Sequence, residues 1–424
     1  MPGTDSRVIW PPNWCAMRRT RRRWRRHRPA PPAGLIRSLS VLLGHVTHHR
    51  YAAGWFLPGP VPALNRALER SARPVTMVAE TVDAVIGGDT HRDTHALEMT
   101  APNGTTIATL TINNNAVGFA EALAWIAEHT PGPRIVVGLE GTRSYGIGLA
   151  RALDSAGLAV VEVECPRRRQ RRRGKSDPID ARLAALEVLR MDDIRKPLPR
   201  SDGDREAIRI LLGARCDLTV ARTAQINRLR ALLLTGDDDD RLLARLTMSE
   251  GNLGLIARRR GHCGESTEAK VRRVEARRLA LAIRDSARVL ADNKRQLAEL
   301  VEAFAPGLQN RLGVGPVSGG QLIVSWSHHG RCRHEAAFAA LAGVSPVPAS
   351  SGRTHRHRLN RGGDRHLNRA LHDVVLTRWR MCPRTHAYIA AGRARGKSDA
   401  EIRRALKRYT ARELFRALNA SVAH

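Results

Sequence analysis

The sequence predicts an α/β domain with a mixed β-sheet, followed by a largely helical region. Three observations support this fold class. Between residues 84 and 163, short apolar runs typical of strands alternate with helical periodicity. From residue 205 to 304 the periodicity is helical almost throughout, and a further mainly helical region begins at Pro306.

Five strands and two helices are predicted in the α/β part. The predicted strands span residues 84–88, 95–100, 105–112, 135–139 and 158–163, and the predicted helices span 116–128 and 145–155. The turn Pro102-Asn103-Gly104 separates the second and third strands, and Pro131-Gly132 ends the first helix. The resulting order of three strands, helix, strand, helix and strand indicates a mixed sheet.

The remaining elements are helices separated by turn signals. Helices are predicted at 181–189, 205–234, 270–304, 365–379 and 399–418, with a solvated loop at 237–240 and an irregular basic loop at 345–361. The two long helices suggest an antiparallel, coiled-coil-like arm. The segment 312–318, which contains Gly313 and Gly315, is typical of a helix-hairpin-helix turn or of a plain glycine cap.

These patterns divide the chain into four parts. They are a basic extension at 1–76, a catalytic domain at 77–190, a helical arm at 191–305 and a C-terminal domain at 306–424. The extension is predicted to be disordered and could grip phosphate backbones. An upstream start codon would also explain it, and Met77 would then be the natural start.

The charge balance points to a polyanionic partner. The chain has 424 residues with 71 basic and 40 acidic side chains, a net charge of +31 and a pI near 11.5. Residues 1–76 hold 14 arginines, and without them 57 basic and 38 acidic residues remain. The folded part is therefore basic as well, which favours nucleic acid as the partner.

Cysteine usage and hydropathy exclude several classes of protein. The six cysteines are scattered without a C-x-x-C pair, which argues against a zinc site and against a disulfide framework, so a reducing cytoplasm is expected. No apolar run approaches the 18 or more residues that a membrane span requires, so no membrane partner is expected.

Four carboxylates stand at positions where they could meet. Asp177 and Asp180 are three residues apart at the start of a predicted helix, and Asp89 and Glu140 end two predicted strands. An N-cap with a capping-box mimic would also explain the aspartate pair. If strand ends and helix start share one edge of the sheet, the four acids need a counter-charge, and Mg²⁺ would supply it.

Two further acids, Asp93 and Glu98, compete for this role. We expect them to face solvent or to lie behind the ligands.

Three motifs in residues 84–185 resemble the DEDD transposases of the IS110/IS1111 insertion-sequence family. They are Gly88-Asp89-Thr90-His91-Arg92-Asp93-Thr94-His95, Leu139-Glu140-Gly141-Thr142 and Gly174-Lys175-Ser176-Asp177-Pro178-Ile179-Asp180-Ala181. The resemblance implies a fold like that of the Holliday-junction resolvase RuvC and of ribonuclease H. It also implies that Asp89, Glu140, Asp177 and Asp180 bind the metal. Arg92 stands where lysine is commoner in the family.

The C-terminal region is similar to the second domain of the same transposases. Its matching motifs are Leu312-Gly313-Val314-Gly315-Pro316, Leu341-Ala342-Gly343-Val344-Ser345-Pro346, Ser350-Ser351-Gly352 and Asn360-Arg361-Gly362-Gly363-Asp364-Arg365-His366-Leu367-Asn368-Arg369. The resemblance implies that Ser351, or Ser350 after a one-residue slip, is a nucleophile that links covalently to DNA.

The resemblance also implies the partners and the setting. The partners are DNA, a structured guide RNA encoded by the element, and further copies of the chain in a dimer or tetramer. The expected location is the nucleoid of a bacterial cytoplasm. A metal-dependent nuclease that uses water instead of serine is one alternative. A non-catalytic, nucleic-acid-binding remnant of a transposase is another.

Overall fold

The computed structural model describes residues 76–164, 176–193, 196–348, 352 and 357–421. The predicted basic extension lies outside this range except for Thr76. Within the part that is described, no helix is long and apolar enough to cross a membrane.

A five-stranded mixed sheet forms the first region, as predicted. Its strands are β1 Ala84–Thr90, β2 Thr94–Thr100, β3 Thr106–Asn113, β4 Ile135–Glu140 and β5 Ala159–Val163, in the spatial order β3-β2-β1-β4-β5. The first three are antiparallel neighbours, while β4 runs parallel to both β1 and β5. This mixed sheet with flanking helices fits a ribonuclease-H-like fold.

Helices cover both faces of the sheet. They are α1 Val78–Thr81, α2 Ala116–His129, α3 Ile147–Ser155 and α4 Asp177–Leu189. One face packs Ile86, Val137 and Leu139 against α2 and α3, with Trp125 and Leu149 in the same core. The other face packs valines of β1, β4 and β5 against α4.

Two strand glycines allow α4 to lie close to the sheet. A Cβ at Gly87 would overlap backbone atoms of Ala181 and Ala185, and a Cβ at Gly138 would overlap the side chain of Val188. Gly87 and Gly138 are register partners in β1 and β4. The pair therefore forms a flat surface, here called the glycine seat, on which α4 packs. This packing fixes the position of the first turn of the helix.

The second region contains two long helices and two short ones. They are α5 Gly203–Leu234, α6 Asp238–Arg245, α7 Glu250–Arg258 and α8 Thr267–Phe304. The amide of Asn293 donates to the carbonyl of Leu211 at 2.9 Å, and Arg215 donates to the carbonyl of Leu290 at 2.9 Å. Because the partner numbers fall as the α5 numbers rise, the long helices are antiparallel.

The prediction of a loop at 237–240 is wrong, because residues 238–240 form the first turn of α6. The carboxylate of Asp237 caps this helix by accepting from the backbone N–H of Asp240 at 2.8 Å. Acidic residues are stabilised in a first helical turn by the unpaired N–H groups there. Four consecutive aspartates therefore start a helix here instead of ending one.

The third region is helical, with one small hairpin. It contains α9 Pro316–Trp326, α10 Glu335–Leu341, α11 Arg365–Met381, α12 Pro383–Ala394 and α13 Asp399–Ser421. The strands β6 Val347–Pro348 and β7 His357–Arg358 pair within the segment predicted as an irregular loop. The core around Trp326 and Phe338 also includes Ile208 of α5 and Leu297 of α8. The third region is thus joined to one end of the long helices.

The segment 312–318 forms a turn that leads into α9. Gly313 has φ +88°, and Gly315 caps the helix, with its N–H donating to Ser318 Oγ at 3.0 Å. A phosphate-binding role for this turn stays a prediction.

Candidate metal centre

The sheet brings Asp89 and Glu140 to the same edge. They follow Gly88 and Leu139, which are register partners in the parallel strands β1 and β4. Side chains alternate between the faces of a sheet, so Asp89 and Glu140 lie on the same face as Gly87 and Gly138. That is the face on which α4 packs. The carboxyl ends of two parallel strands therefore place two carboxylates beside the start of a helix.

The first turn of α4 supplies the other two acids. Asp180 is 2% exposed, whereas Asp177 remains largely exposed. The spacing of three residues puts both on one side of the helix. Pro178 takes an early helical position, where its missing N–H removes no hydrogen bond.

His91 connects the strand end to the helix start. Its Nε2 lies 3.2 Å from Oδ2 of Asp89 and 3.2 Å from Oδ1 of Asp177. One potential ligand atom from each of these three residues lies within 4.8 Å of the others. The sequence contained His91 inside the first motif, but we did not predict it as a ligand. Its position two residues after Asp89 was the available signal.

Burial and mutual repulsion shape the electrostatics of Asp89. Burial raises the pKa of the Asp89 carboxyl above its ordinary 3.8, His91 opposes this rise, and Glu140, Asp180 and Asp177 add to it. All three of the other acids thus act electrostatically on Asp89. The four carboxylates therefore influence one another electrostatically, and their joint role as metal ligands stays a prediction.

The donor set fits a divalent cation. Oε2 of Glu140 is buried and has no hydrogen-bond partner in the part of the chain that the structure describes, and the same holds for Oγ1 of Thr142. A buried carboxylate oxygen without a donor is costly, and a cation would satisfy it. Carboxylate oxygens suit Mg²⁺ or Mn²⁺, and an imidazole nitrogen is tolerated by Mn²⁺ and other transition metals.

The two competing acids differ from each other. Asp93 is exposed and paired with Arg92 at 2.9 Å. Glu98 is only 5% exposed, so it does not face solvent. It accepts from Arg182 of α4 at 2.8 Å and from Thr106 at 2.8 Å, which ties the helix to the first hairpin. Arg182, which sequence reasoning missed, thereby helps to hold α4.

The predicted nucleophiles Ser350 and Ser351 lie outside the described residues. On either side of the serines, Pro348 pairs with His357 in the β6–β7 hairpin. Gly352 has φ +55°, a conformation that favours glycine.

Comparison with known protein families gives two matches. Residues 86–236 match the DEDD transposase model of IS110 elements, described as a transposase, and residues 307–390 match a model described as transposase IS116/IS110/IS902 family. Together the two matched segments cover more than half of the chain. No curated protein matches the chain.

Proposed function

The chain belongs to the IS110 family of transposases, and from that premise we propose how it cuts and rejoins DNA. In this proposal a divalent-cation centre in the sheet region and a serine of the third region act on the same phosphodiester. The convergence of the β1, β4 and α4 carboxylates at one edge is the observation that carries the proposal. It supports a site with enough negative charge to hold a cation in contact with DNA.

We assign the cation to Asp89, Glu140, Asp177 and Asp180, with Mg²⁺ as the expected ion. When bound, it would polarise a phosphodiester and stabilise the oxygen that leaves. The residues of the chain act around it. Oε2 of Glu140 offers a buried acceptor that no described side chain uses. The imidazole of His91 lies between Asp89 and Asp177 and so connects the end of β1 to the start of α4.

The proposed serine step conserves the number of phosphoester bonds. The hydroxyl oxygen of Ser351, or of Ser350, attacks the phosphorus and loses its proton. The bond between phosphorus and the leaving deoxyribose oxygen breaks, and that oxygen takes a proton. A hydroxyl of a second strand then attacks the phosphorus and loses its proton. The bond between phosphorus and the serine oxygen breaks, that oxygen takes a proton, and a diester is restored. Because no bond energy is lost to water, rejoining needs no nucleotide cofactor.

RNA guidance and self-association are also part of the proposal. The family resemblance is the argument for an element-encoded RNA that pairs with DNA. The argument for a homo-oligomer comes from α8, where Val271 and Val274, three residues apart on one side of the helix, are more than half exposed. Sedimentation of a Val271→Glu, Val274→Glu variant tests this assignment, which predicts a smaller species than wild type. Unchanged sedimentation would contradict it.

Trapping of a covalent intermediate tests the chemistry. The full-length protein is incubated with its element-end DNA, the element-encoded RNA and Mg²⁺, then denatured and resolved by size. We expect a protein-DNA adduct that resists denaturation and disappears in Ser351→Ala. Ser350→Ala and Ser345→Ala serve as matched controls, and loss of the adduct only in Ser350→Ala would move the assignment by one residue.

Two other outcomes would favour the alternatives. Undiminished strand cleavage by both serine variants would support a nuclease that uses water. DNA binding by the wild-type protein without any Mg²⁺-dependent strand transfer would support a non-catalytic remnant. Omission of the RNA gives a separate readout, since an RNA-guided enzyme should lose transfer but not folding.

A further inference from the structure

A group of arginines gathers around Glu162, at the seam between the sheet and the third region. Glu162 lies in β5, and its carboxylate is 8% exposed. Arg200 donates to it with Nε at 2.8 Å and with a second nitrogen, and Nε of Arg143 lies 3.2 Å away. This single carboxylate is therefore already shared by two guanidinium groups.

Arg205 adds a third positive charge with little compensation. The guanidinium of this residue, in the first turn of α5, is 11% exposed and donates to the backbone carbonyls of Arg200 and Val324. Among the described residues, the nearest carboxylate oxygen belongs to Glu206 at 3.8 Å. Glu206 itself accepts three hydrogen bonds from Arg209. The backbone carbonyls thus accept hydrogen bonds from Arg205, but they do not neutralise its positive charge.

Arg331 brings a fourth positive charge from the loop after α9. It donates to the carbonyl of Ser325, and among the described residues no carboxylate lies within 4.0 Å of its nitrogens. Nearby, Nε2 of His328 is buried and finds no hydrogen-bond partner in the described ranges. Two arginines and one histidine therefore meet at this seam, and within the described ranges none of them donates a hydrogen bond to a carboxylate.

Burial and the neighbouring arginines both lower pKa values at this seam. Burial, followed by Arg200 and Arg331, lowers the pKa of Arg205 to about 10. Burial, followed by Arg331 and Arg200, lowers the pKa of His328 to about 4. Bringing like charges out of water is costly unless an anion joins them. A bound anion would reverse this cost.

The backbone that carries His328 is strained. Ser327 has φ +71° and ψ −71°, a γ-turn in which the N–H of His328 donates to the carbonyl of Trp326 at 3.1 Å. Throughout the described ranges, no other residue except glycine has a positive φ. Such conformations persist where the surrounding structure fixes them, and they concentrate at functional positions. Here the turn places His328 and Arg331 against the arginines of the seam.

The position relative to the carboxylates is also informative. Glu162 pairs in register with Leu139, the residue before Glu140. Its side chain therefore points to the opposite face of the sheet from Glu140, near the same carboxyl ends of the strands. A nucleic-acid backbone that passes over this edge can meet the arginines on one side and the acidic centre on the other.

We propose that Arg205, Arg331 and His328 form a binding site for a phosphodiester of the nucleic-acid backbone. Guanidinium groups match phosphate oxygens with paired N–H donors, and a neutral imidazole adds one further N–H. The site rests on the proposed function only because a transposase substrate supplies the phosphate. Occupation by a phosphate would link the sheet region to the third region, which carry the two halves of the proposed catalytic centre.

Equilibrium binding of nucleic acid tests the site. The full-length protein is titrated in EDTA with labelled 20-nucleotide single-stranded DNA, duplex DNA and RNA, at several salt concentrations. For Arg331→Gln we expect affinity to fall roughly tenfold. We also expect the slope of log affinity against log salt to fall by about one. Arg331→Lys should keep the slope, because it keeps the charge. The nucleic acid with the largest loss is the one whose backbone occupies the site.

Arg278→Gln is the matched control. Arg278 lies on α8, is exposed, and is held by two hydrogen bonds from its guanidinium to Glu275. If Arg331→Gln keeps the affinity and salt slope of Arg278→Gln for all three nucleic acids, the proposal is wrong. Because EDTA prevents metal-dependent cleavage, this result would leave the serine chemistry untouched. Likewise, failure of the trapping experiment would not argue against this phosphate site.

Thermal unfolding distinguishes a phosphate-binding role of Arg331 from a purely structural one. A ligand that binds only the folded state stabilises it. Inorganic phosphate, compared with chloride at equal ionic strength, should therefore stabilise the wild type and Arg278→Gln more than Arg331→Gln. If the role of Arg331 is purely structural, the melting temperature of Arg331→Gln should lie below that of wild type by the same amount in both salts. That result would overturn the proposal.

Discussion

The imidazole of His91 lies 3.2 Å from the carboxylate of Asp177. This contact joins the loop after β1 to the first turn of α4, across 86 positions of sequence. It also gives the acidic centre one nitrogen donor beside its oxygens. The metal preference of the site should reflect this mixed donor set.

We expect His91→Ala to weaken the binding of Mn²⁺ or Co²⁺ more than that of Mg²⁺. Imidazole is a favourable ligand for transition metals, whereas Mg²⁺ prefers oxygen. The expected loss for Mn²⁺ is roughly tenfold, within the range seen when one group supporting a metal site is removed. Titration calorimetry of the full-length protein measures both affinities. His129→Ala, on α2 and outside the cluster, should bind like wild type, and equal losses for Mg²⁺ and Mn²⁺ in His91→Ala would refute the assignment.

Glu140→Gln should abolish metal-dependent strand cleavage without preventing DNA binding. The substitution keeps the size of this half-buried side chain but removes the charge that attracts a cation. We expect cleavage to fall by at least about 100-fold. Gel analysis of cleavage and anisotropy of binding give the two readouts. Glu128→Gln on the exposed side of α2 is the control. Retention of cleavage by Glu140→Gln would remove Glu140 from the centre.

Arg182→Met should destabilise the sheet region, because it leaves the buried carboxylate of Glu98 without its main charged partner. Arg182 is 43% exposed, so solvent screens part of the pair. The expected loss in free energy of unfolding is about 1–3 kcal/mol. Glu98→Gln in the same chain should restore part of it, because the unpaired charge is then gone. Urea unfolding measures all three proteins, and Arg190→Met, at the end of the same helix, is the control. A double variant no more stable than Arg182→Met would contradict this account.

Local patterns made part of this structure predictable. The five strands, and the positions of Asp89 and Glu140 at strand ends, follow from alternating and continuous apolar runs, which are local signals. The helix at 238–245 was missed because aspartates favour both loops and helix starts, and only the capping contact of Asp237 decides between them. Arg182 could not be assigned because its partner Glu98 is distant in sequence. His91 offered only its position two residues after Asp89, since its second partner, Asp177, is also distant. Among 71 basic residues, nothing local distinguishes Arg331.

Gly87→Ala should disrupt the packing of α4 on the sheet. The added methyl group would overlap the backbone of Ala181 and Ala185, so the helix must move. Overpacking of this kind costs about 1–3 kcal/mol, and more where backbone must shift. Because the helix carries Asp177 and Asp180, metal affinity should fall together with stability.

Gly213→Ala provides the matched control for this prediction. Gly213 lies within α5, and nothing is within 4 Å of an added Cβ. Alanine in a helix is more favourable than glycine by about 0.5–1 kcal/mol, so this variant should be slightly more stable than wild type. Chemical unfolding and metal titration measure both variants. If Gly87→Ala matches wild type in both measurements, the glycine seat does not position α4.

The stability of the protein should depend on pH through His328. Burial and the neighbouring arginines lower the pKa of this imidazole to about 4, below its ordinary 6.5, while Glu162 opposes them weakly. Between these two values the unfolded chain takes up a proton that the folded chain does not. The contribution of neutral His328 is therefore fully present above pH 6.5 and is lost as pH falls through 4.

His328→Gln should remove this dependence, because glutamine binds no proton in this range. The slope of unfolding free energy against pH between 4.5 and 6.5 should fall by up to one proton, about 1.4 kcal/mol per pH unit, relative to wild type. Urea unfolding in phosphate-free buffers measures it, so that no added phosphate neutralises the arginines around the imidazole. His129→Gln should keep the wild-type slope. If His328→Gln also keeps that slope, the pKa of His328 is the same in the folded and the unfolded protein. The arginines of the seam would then not lower it.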